Sequence, residues 1–313
     1  MEKWAFVFPG QGSQYAGMGK DFYDSYEICR ETIDLADKFC DKKLCEIMFE
    51  ENPYINKTRY TQLAMLSLEN AILKKLNADG VSCEYTAGLS LGEYAALLCA
   101  GAIREEDAYR LIALRGRLME EAYPEGGAMA AVMSNDTDMI EHICDKLSSE
   151  GGTVSIANYN CPGQTVITGS EASVIKAMEE IKNNGAKKCT LLKVSGPFHS
   201  RLMSDAGERL YEELLKTDLE TPKIPYISNV TATEVLTSDS IRELLKDQIS
   251  SAVRWQQSVE RMIELGVKTF VEIGPKKSLS GFIKRISRDV NVLKIENIDE
   301  YEEVLEQWKK ERL

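Results

Sequence analysis

The sequence predicts an α/β protein. Short apolar segments rich in β-branched and aromatic residues alternate with longer stretches of helical periodicity. Glycine-rich turns stand where several strand-like segments end. The composition agrees, with 43% hydrophobic and 28% charged residues over 313 positions. That is the globular range, and the length suits one large domain or a domain carrying an insertion.

Taken in order, residues 4–8 read as a buried strand running into Pro9-Gly10-Gln11-Gly12. Residues 85–89 form a second strand, followed at once by a helix over 91–100. A third strand spans 267–273, stops at Gly274-Pro275 and leads to a helix reaching Arg288; 291–295 is a fourth. The middle has its own rhythm. A strand over 128–133 precedes a helix over 136–149 capped by Asp136 or Asn135. Two short strands, 153–158 and 164–168, are separated by 159–163. A helix over 171–184 ends at Gly185, the place for a C-cap glycine, and a strand over 188–194 closes the set. The order β-α-β-β-α-β is the ferredoxin-like arrangement. Residues 125–195 are therefore expected to be a small ferredoxin-like domain inserted into a larger α/β domain made of 1–124 and 196–313.

Several function classes fall away. A membrane span needs roughly 18 consecutive apolar residues, and the longest stretch, 95–103, is far shorter. The first residues have neither the charge nor the apolar length of a secretory signal, so a cytoplasmic location is expected. The eight cysteines are scattered without the spacing of a zinc knuckle or redox dithiol, which fits a reducing compartment. A net charge of −12 argues against nucleic acid as a partner while leaving room for local basic patches.

Gly88-Leu89-Ser90-Leu91-Gly92 fits the nucleophile elbow, a sharp strand-to-helix turn. Ser90 would project its hydroxyl at the N-terminus of the following helix, where the Leu91 N–H can stabilise an oxyanion. A glycine-rich loop with a capping serine is the plainer reading; the strand before and helix after favour the elbow. A serine nucleophile needs a base, usually histidine. Only His142 and His199 exist. His142 lies within a helix beside Glu141 and reads as a surface or boundary residue. His199, in Gly196-Pro197-Phe198-His199-Ser200 where the chain re-enters the larger domain, is the better candidate. No carboxylate presents itself as the group that orients the imidazole; Asp205 is close in sequence, but nothing in its context singles it out.

Six ordered blocks carry a resemblance that spans essentially the whole chain. They are Phe8-Pro9-Gly10-Gln11-Gly12-Ser13-Gln14, the serine block extended to Glu93-Tyr94, Arg115-Gly116-Arg117-Leu118-Met119, Asn158-Tyr159-Asn160-Cys161-Pro162-Gly163-Gln164, the His199 block, and Val271-Glu272-Ile273-Gly274-Pro275. Together they resemble the malonyl-CoA:acyl-carrier-protein transacylase family. The resemblance implies an α/β-hydrolase-like core with a ferredoxin-like insertion. It also implies Ser90 as the nucleophile that accepts malonyl, His199 as its base, and the N–H groups of Gln11 and Leu91 as the oxyanion hole. Arg115 would pair with the malonyl carboxylate, a task a planar guanidinium suits because it can donate two parallel bonds. Gln248 would orient His199 through its backbone carbonyl, in place of an aspartate. Gln62, Asn158 and Asn160 match positions near the substrate, and Phe198 resembles the malonyl-selecting form. The sequence departs from the family at Leu89, where a histidine is usual, and at Leu63 and Ala252, where proline is common. On its own, Arg115 at helical spacing would read as a solvated surface residue.

The resemblance implies ping-pong transfer from malonyl-CoA to acyl carrier protein, for fatty-acid biosynthesis, with no cofactor and with the protein acting as a monomer. A malonyltransferase serving a polyketide assembly line is an alternative, and a serine thioesterase or other hydrolase is a weaker one. The early glycines do not make a nucleotide site: Gly10-x-Gly12 lacks the third glycine, and Gly19-Lys20 is followed by Asp21. An acidic carrier meeting a chain of charge −12 needs a basic patch. Lys187-Lys188, Lys276-Lys277 and Lys284-Arg285-Arg288 are the candidates.

Overall fold

The computed structural model describes residues 2–194 and 196–312. Ser195, the expected last residue of the insertion, lies outside them. Among the described residues there are ten strands: β1 (Lys3–Phe8), β2 (Tyr85–Gly88), β3 (Gly127–Met133), β4 (Val154–Cys161), β5 (Gln164–Ser170), β6 (Lys188–Leu191), β7 (Tyr226–Ile227), β8 (Glu234–Val235), β9 (Val267–Ile273) and β10 (Asn291–Ile295). They form two sheets, and with the helices around them make a mixed α/β structure. No helix among the described residues is long and apolar enough to cross a membrane.

The larger sheet runs β10-β9-β1-β2-β7-β8 and is parallel except for β8. A parallel strand covered by helices is apolar on both faces, and β1 shows why. Trp4, Phe6 and Phe8 enter one buried cluster, while Ala5 and Val7 enter another. Because β1, β2, β7 and β9 point the same way, the segments that leave them emerge at one edge of the sheet, the edge where ligands bind in open α/β sheets. That edge carries Gly10-Gln11 after β1, Leu89-Ser90 after β2 and Asn229 after β7. It also carries Ser278 at the start of the helix Ser278–Ile286 after β9.

The smaller sheet is antiparallel throughout, in the order β4-β5-β3-β6. Its apolar residues divide by the two-residue period of a strand. Ala130 and Val132 join the helices Thr137–Ser149 and Glu171–Asn183 in one core, while Met129 joins the core that β1 helps build. Asp136 caps the first of these helices, its carboxylate accepting from the Met139 N–H at 2.9 Å.

Two expectations need correction. Residues 159–163 are not a separate linker: β4 continues through Cys161, and the hairpin turns at Pro162-Gly163. The register shifts between Ile156 and Asn158, an extra residue that reverses which side chains face inward. Val253 closes this stretch, donating to the Ala157 carbonyl at 2.8 Å and accepting from the Tyr159 N–H at 2.9 Å. The strand expected over 188–194 also stops early, at Leu191. Several elements had no counterpart in the reading of the sequence, among them the long buried helix Thr58–Ala78, the helices Glu27–Asp37, Ser238–Gln248, Trp255–Glu264 and Ile298–Arg312, and the two-residue strands β7 and β8.

Candidate active site

The elbow is held by close approach. A Cβ on Gly88 would lie 1.9 Å from the carbonyl of Gly92, and one on Gly92 would lie 2.3 Å from the Phe8 carbonyl oxygen. No side chain fits at either position, so the spacing of the two glycines follows from the turn itself. Between them Ser90 takes φ +56°, and His199 across the site takes φ +60°. Non-glycine residues rarely adopt this conformation, and they cluster at functional sites when they do. At Ser90 the strain is held by Asn229, which accepts the Ser90 N–H at 2.7 Å and donates to the Gly88 carbonyl at 2.6 Å.

Ser90 Oγ and His199 Nε2 lie 2.9 Å apart. His199 Nδ1 lies 2.8 Å from the backbone carbonyl of Gln248. A carbonyl can only accept, so Nδ1 carries the proton and Nε2 is left to take one from the serine. Asp205 is exposed at the start of its helix, and His142 is exposed as well. Burial, and next the Arg115 cation, push the His199 pKa down to about 4. The imidazole is therefore neutral at ordinary pH, the state a general base requires.

Arg115 is not a surface residue. It is 0% exposed in the helix Glu105–Ala122. Its Nη1 donates to Gln62 Oε1 at 2.7 Å, and its Nη2 donates to Gln248 Oε1 at 2.8 Å and to Ser90 Oγ at 3.1 Å. Its Nε has no partner among the described residues. A guanidinium in contact with the serine hydroxyl and paired only with neutral groups is poised for a carboxylate.

Ser90 and His199 line a cavity of about 540 Å³ between the two sheets, while Arg115 and Gln248 are buried behind them, outside its lining. Gln11, Gln62, Leu91, Phe198 and the Ser90–His199 pair line it from the larger sheet's side. Asn158 and Asn160, brought into phase by the bulge in β4, line it from the other. Leu89 adds an apolar wall beside Gly10. Leu91 and Gln11 flank the nucleophile, the first at the N-cap of the helix Gly92–Cys99 and the second in the loop after β1. Lys193 stands at the wall. Of the other basic groups, Lys276 donates to the Gly12 carbonyl at 3.2 Å, and Arg285 donates to the Pro162 carbonyl at 2.8 Å.

Three participants escaped the sequence reading. Asn229 has no signal in its neighbourhood. Glu93, quoted as part of a block, is 0% exposed and accepts from Gln248 Nε2 at 2.6 Å. The Gln248 side chain, as well as its carbonyl, belongs to the site: its Nε2 also donates to the Ser90 carbonyl at 2.9 Å.

Residues 5–311 match the model of the acyl transferase domain family. The chain is 42% identical over 313 residues to the malonyl CoA-acyl carrier protein transacylase of Bacillus subtilis, covering 99% of each chain. A solved structure of the same-named protein from Clostridium perfringens superposes with a TM-score of 0.93 at 41% identity, over 99% of this chain and 98% of that one. A malonyl-transacylase solved in complex with a type II PKS acyl-carrier protein superposes at 0.94 and 36% identity, over 97% and 99% of the two chains.

Proposed function

The chain belongs to the acyl transferase domain family, and from that premise we infer that it is an acyltransferase moving malonyl from malonyl-CoA to the phosphopantetheine thiol of acyl carrier protein, in fatty-acid biosynthesis. The observation that carries the chemistry is the Ser90–His199–Gln248 line, at 2.9 and 2.8 Å, with a buried arginine on the serine hydroxyl.

In this reading Ser90 Oγ attacks the thioester carbonyl as its proton passes to His199 Nε2. The N–H groups of Leu91 and Gln11 hold the oxyanion. The C–S bond breaks, coenzyme A leaves with the proton from His199, and malonyl remains as an ester on Ser90. The carrier's thiol then attacks that ester by the reverse path. The Gln248 carbonyl holds the imidazole in its working tautomer. Arg115 receives the malonyl carboxylate and orients the acyl group, which lowers the barrier by fixing geometry. Gln62 braces Arg115, while Asn158, Asn160 and Phe198 shape the space beyond the carbonyl. No cofactor takes part in these steps.

The domain reading belongs to the same proposal: an α/β-hydrolase-like core of 1–124 and 196–313 with a ferredoxin-like unit at 125–195. Its support is the antiparallel order β4-β5-β3-β6 on a β-α-β-β-α-β chain, and a parallel sheet with Ser90 at its carboxyl edge. A monomer in the cytoplasm completes it. A polyketide-type carrier is the second reading, favoured by the solved complex with such a carrier.

Incubation with malonyl-CoA and acyl carrier protein tests the proposal. Malonyl is expected on the holo carrier, which bears the thiol, and not on the apo carrier. Free malonate in place of malonyl-carrier would show that water takes the acyl group, and the hydrolase reading would replace this one.

A further inference from the structure

Arg115 and Glu93 are both 0% exposed, and a buried cation facing only neutral groups is costly. They are joined by the side-chain amide of Gln248, whose Nε2 meets Glu93 Oε2 at 2.6 Å while its Oε1 meets Arg115 Nη2 at 2.8 Å. Glu93 Oε2 accepts from Nε2, with burial pushing the Glu93 pKa up to about 7, and the Ser90 carbonyl, which can only accept, takes the same NH2 group at 2.9 Å, so that end of the amide faces away from Arg115. The oxygen is then turned toward the guanidinium. Asn229 strengthens the arrangement, because its backbone N–H donates to the same Glu93 oxygen at 3.3 Å. With the amide reversed, two sets of N–H donors would face each other and Arg115 would be driven from the serine.

The interposed amide has a second effect. A direct Glu93–Arg115 ion pair would consume the positive charge. A neutral amide oxygen fixes the direction of the guanidinium and leaves its charge for an incoming anion. The first turn of the Gly92–Cys99 helix thus supplies the acid that helps set the amide, three residues after the nucleophile Ser90.

We propose that Glu93 is a positioning residue for malonyl selection, acting through the Gln248 side chain to hold Arg115 ready for the acyl carboxylate. The inference rests on the roles given above to Ser90 and Arg115 and adds the group that orients the arginine.

The test is acylation of Ser90 by malonyl-CoA and by acetyl-CoA, followed as rate against concentration in the wild type, Glu93→Gln, Gln248→Met and the double variant. Glutamine at 93 has donors of its own and no longer dictates the amide direction. Glu93→Gln is expected to slow malonyl acylation about tenfold, the order of one lost charge-assisted hydrogen bond. The half-saturating malonyl-CoA concentration should rise, and acetyl acylation should change by less than about threefold on the same scale. The double variant should be no slower with malonyl than Gln248→Met alone, because both act along one path. Equal losses for both acyl groups, or losses that multiply in the double variant, would overturn the inference. Should Glu93→Gln fail to fold, Glu93→Asp, which draws the carboxylate back from Gln248 by one methylene, reads the same link, and an equal loss for both acyl groups there would overturn it too. A wild type that takes no malonyl on Ser90 would instead remove the reading of the site itself.

Discussion

Around the cavity, the six-stranded sheet presents Ser90 on a turn where a side chain fits at neither flanking glycine, with Asn229, His199 and Arg115 all bonded to it. The four-stranded sheet presents Asn158 and Asn160 from a stretch of β4 whose register shifts twice against β5, between Ile156 and Asn158 and between Tyr159 and Cys161. Neither of those side-chain amides has a hydrogen-bond partner among the described residues. One wall is strained, with most of its polar groups bonded to one another before any ligand arrives; the other keeps its side-chain amides free. The contrast fits a division of labour in which the larger sheet performs the chemistry and the smaller one shapes the space for the acyl chain.

Substitutions on the two walls should therefore differ in kind. The largest effect belongs to His199→Ala, which removes the base and should slow Ser90 acylation by about 10²–10⁴-fold for any acyl group, read by single-turnover kinetics. Arg115→Ala should cost malonyl acylation about 10–100-fold, the worth of a charge-assisted pair, and acetyl acylation much less. Equal loss with both would take Arg115 out of the selecting role.

The same arginine should be visible in the pH profile. Burial and the Arg115 cation both oppose the imidazolium, which puts the His199 pKa at about 4. His199 gains a proton only as pH falls toward that value, so acylation should hold steady down to mildly acidic pH and then drop. In Arg115→Ala one of the two opposing causes is gone, and the drop should begin at higher pH. An unshifted profile would mean the cation does not act on the base. The smallest effect is expected on the opposite wall: Asn160→Ala should raise the half-saturating malonyl-CoA concentration a few-fold, about 1 kcal/mol for one neutral hydrogen bond, with the maximal rate little changed. A large fall in maximal rate there would erase the contrast between the walls.

What could be read from the sequence follows the same line. The glycines at 88 and 92 were legible because main chain approaches main chain there, a demand that only one residue type meets. β1, β9 and β10 were legible as apolar runs, and β3 to β6 as short strands set between two helical patterns in the order β-α-β-β-α-β. β7 and β8, at two residues each, are too short for any period. The helix Thr58–Ala78 is buried nearly all round, so it shows no polar face to reveal its turn. The end of β4 read as a loop because Asn158-Tyr159-Asn160 has the composition of one; pairing with β5 and Val253 decides otherwise. At the site, the candidates the sequence offers stand in local motifs, whereas their partners come from afar: Asn229 meets the Ser90 amide across 139 positions, and Gln248 meets Glu93 across 155. No local pattern encodes such partners.

The central claim is that Ser90 carries the acyl group, and intact mass after brief exposure to malonyl-CoA tests it most directly, with acetyl-CoA and Ser90→Ala alongside. The account predicts a gain of one malonyl group in the wild type, little with acetyl-CoA and none in the variant. A malonyl adduct that persists in Ser90→Ala, or a wild type that gains nothing, would contradict it.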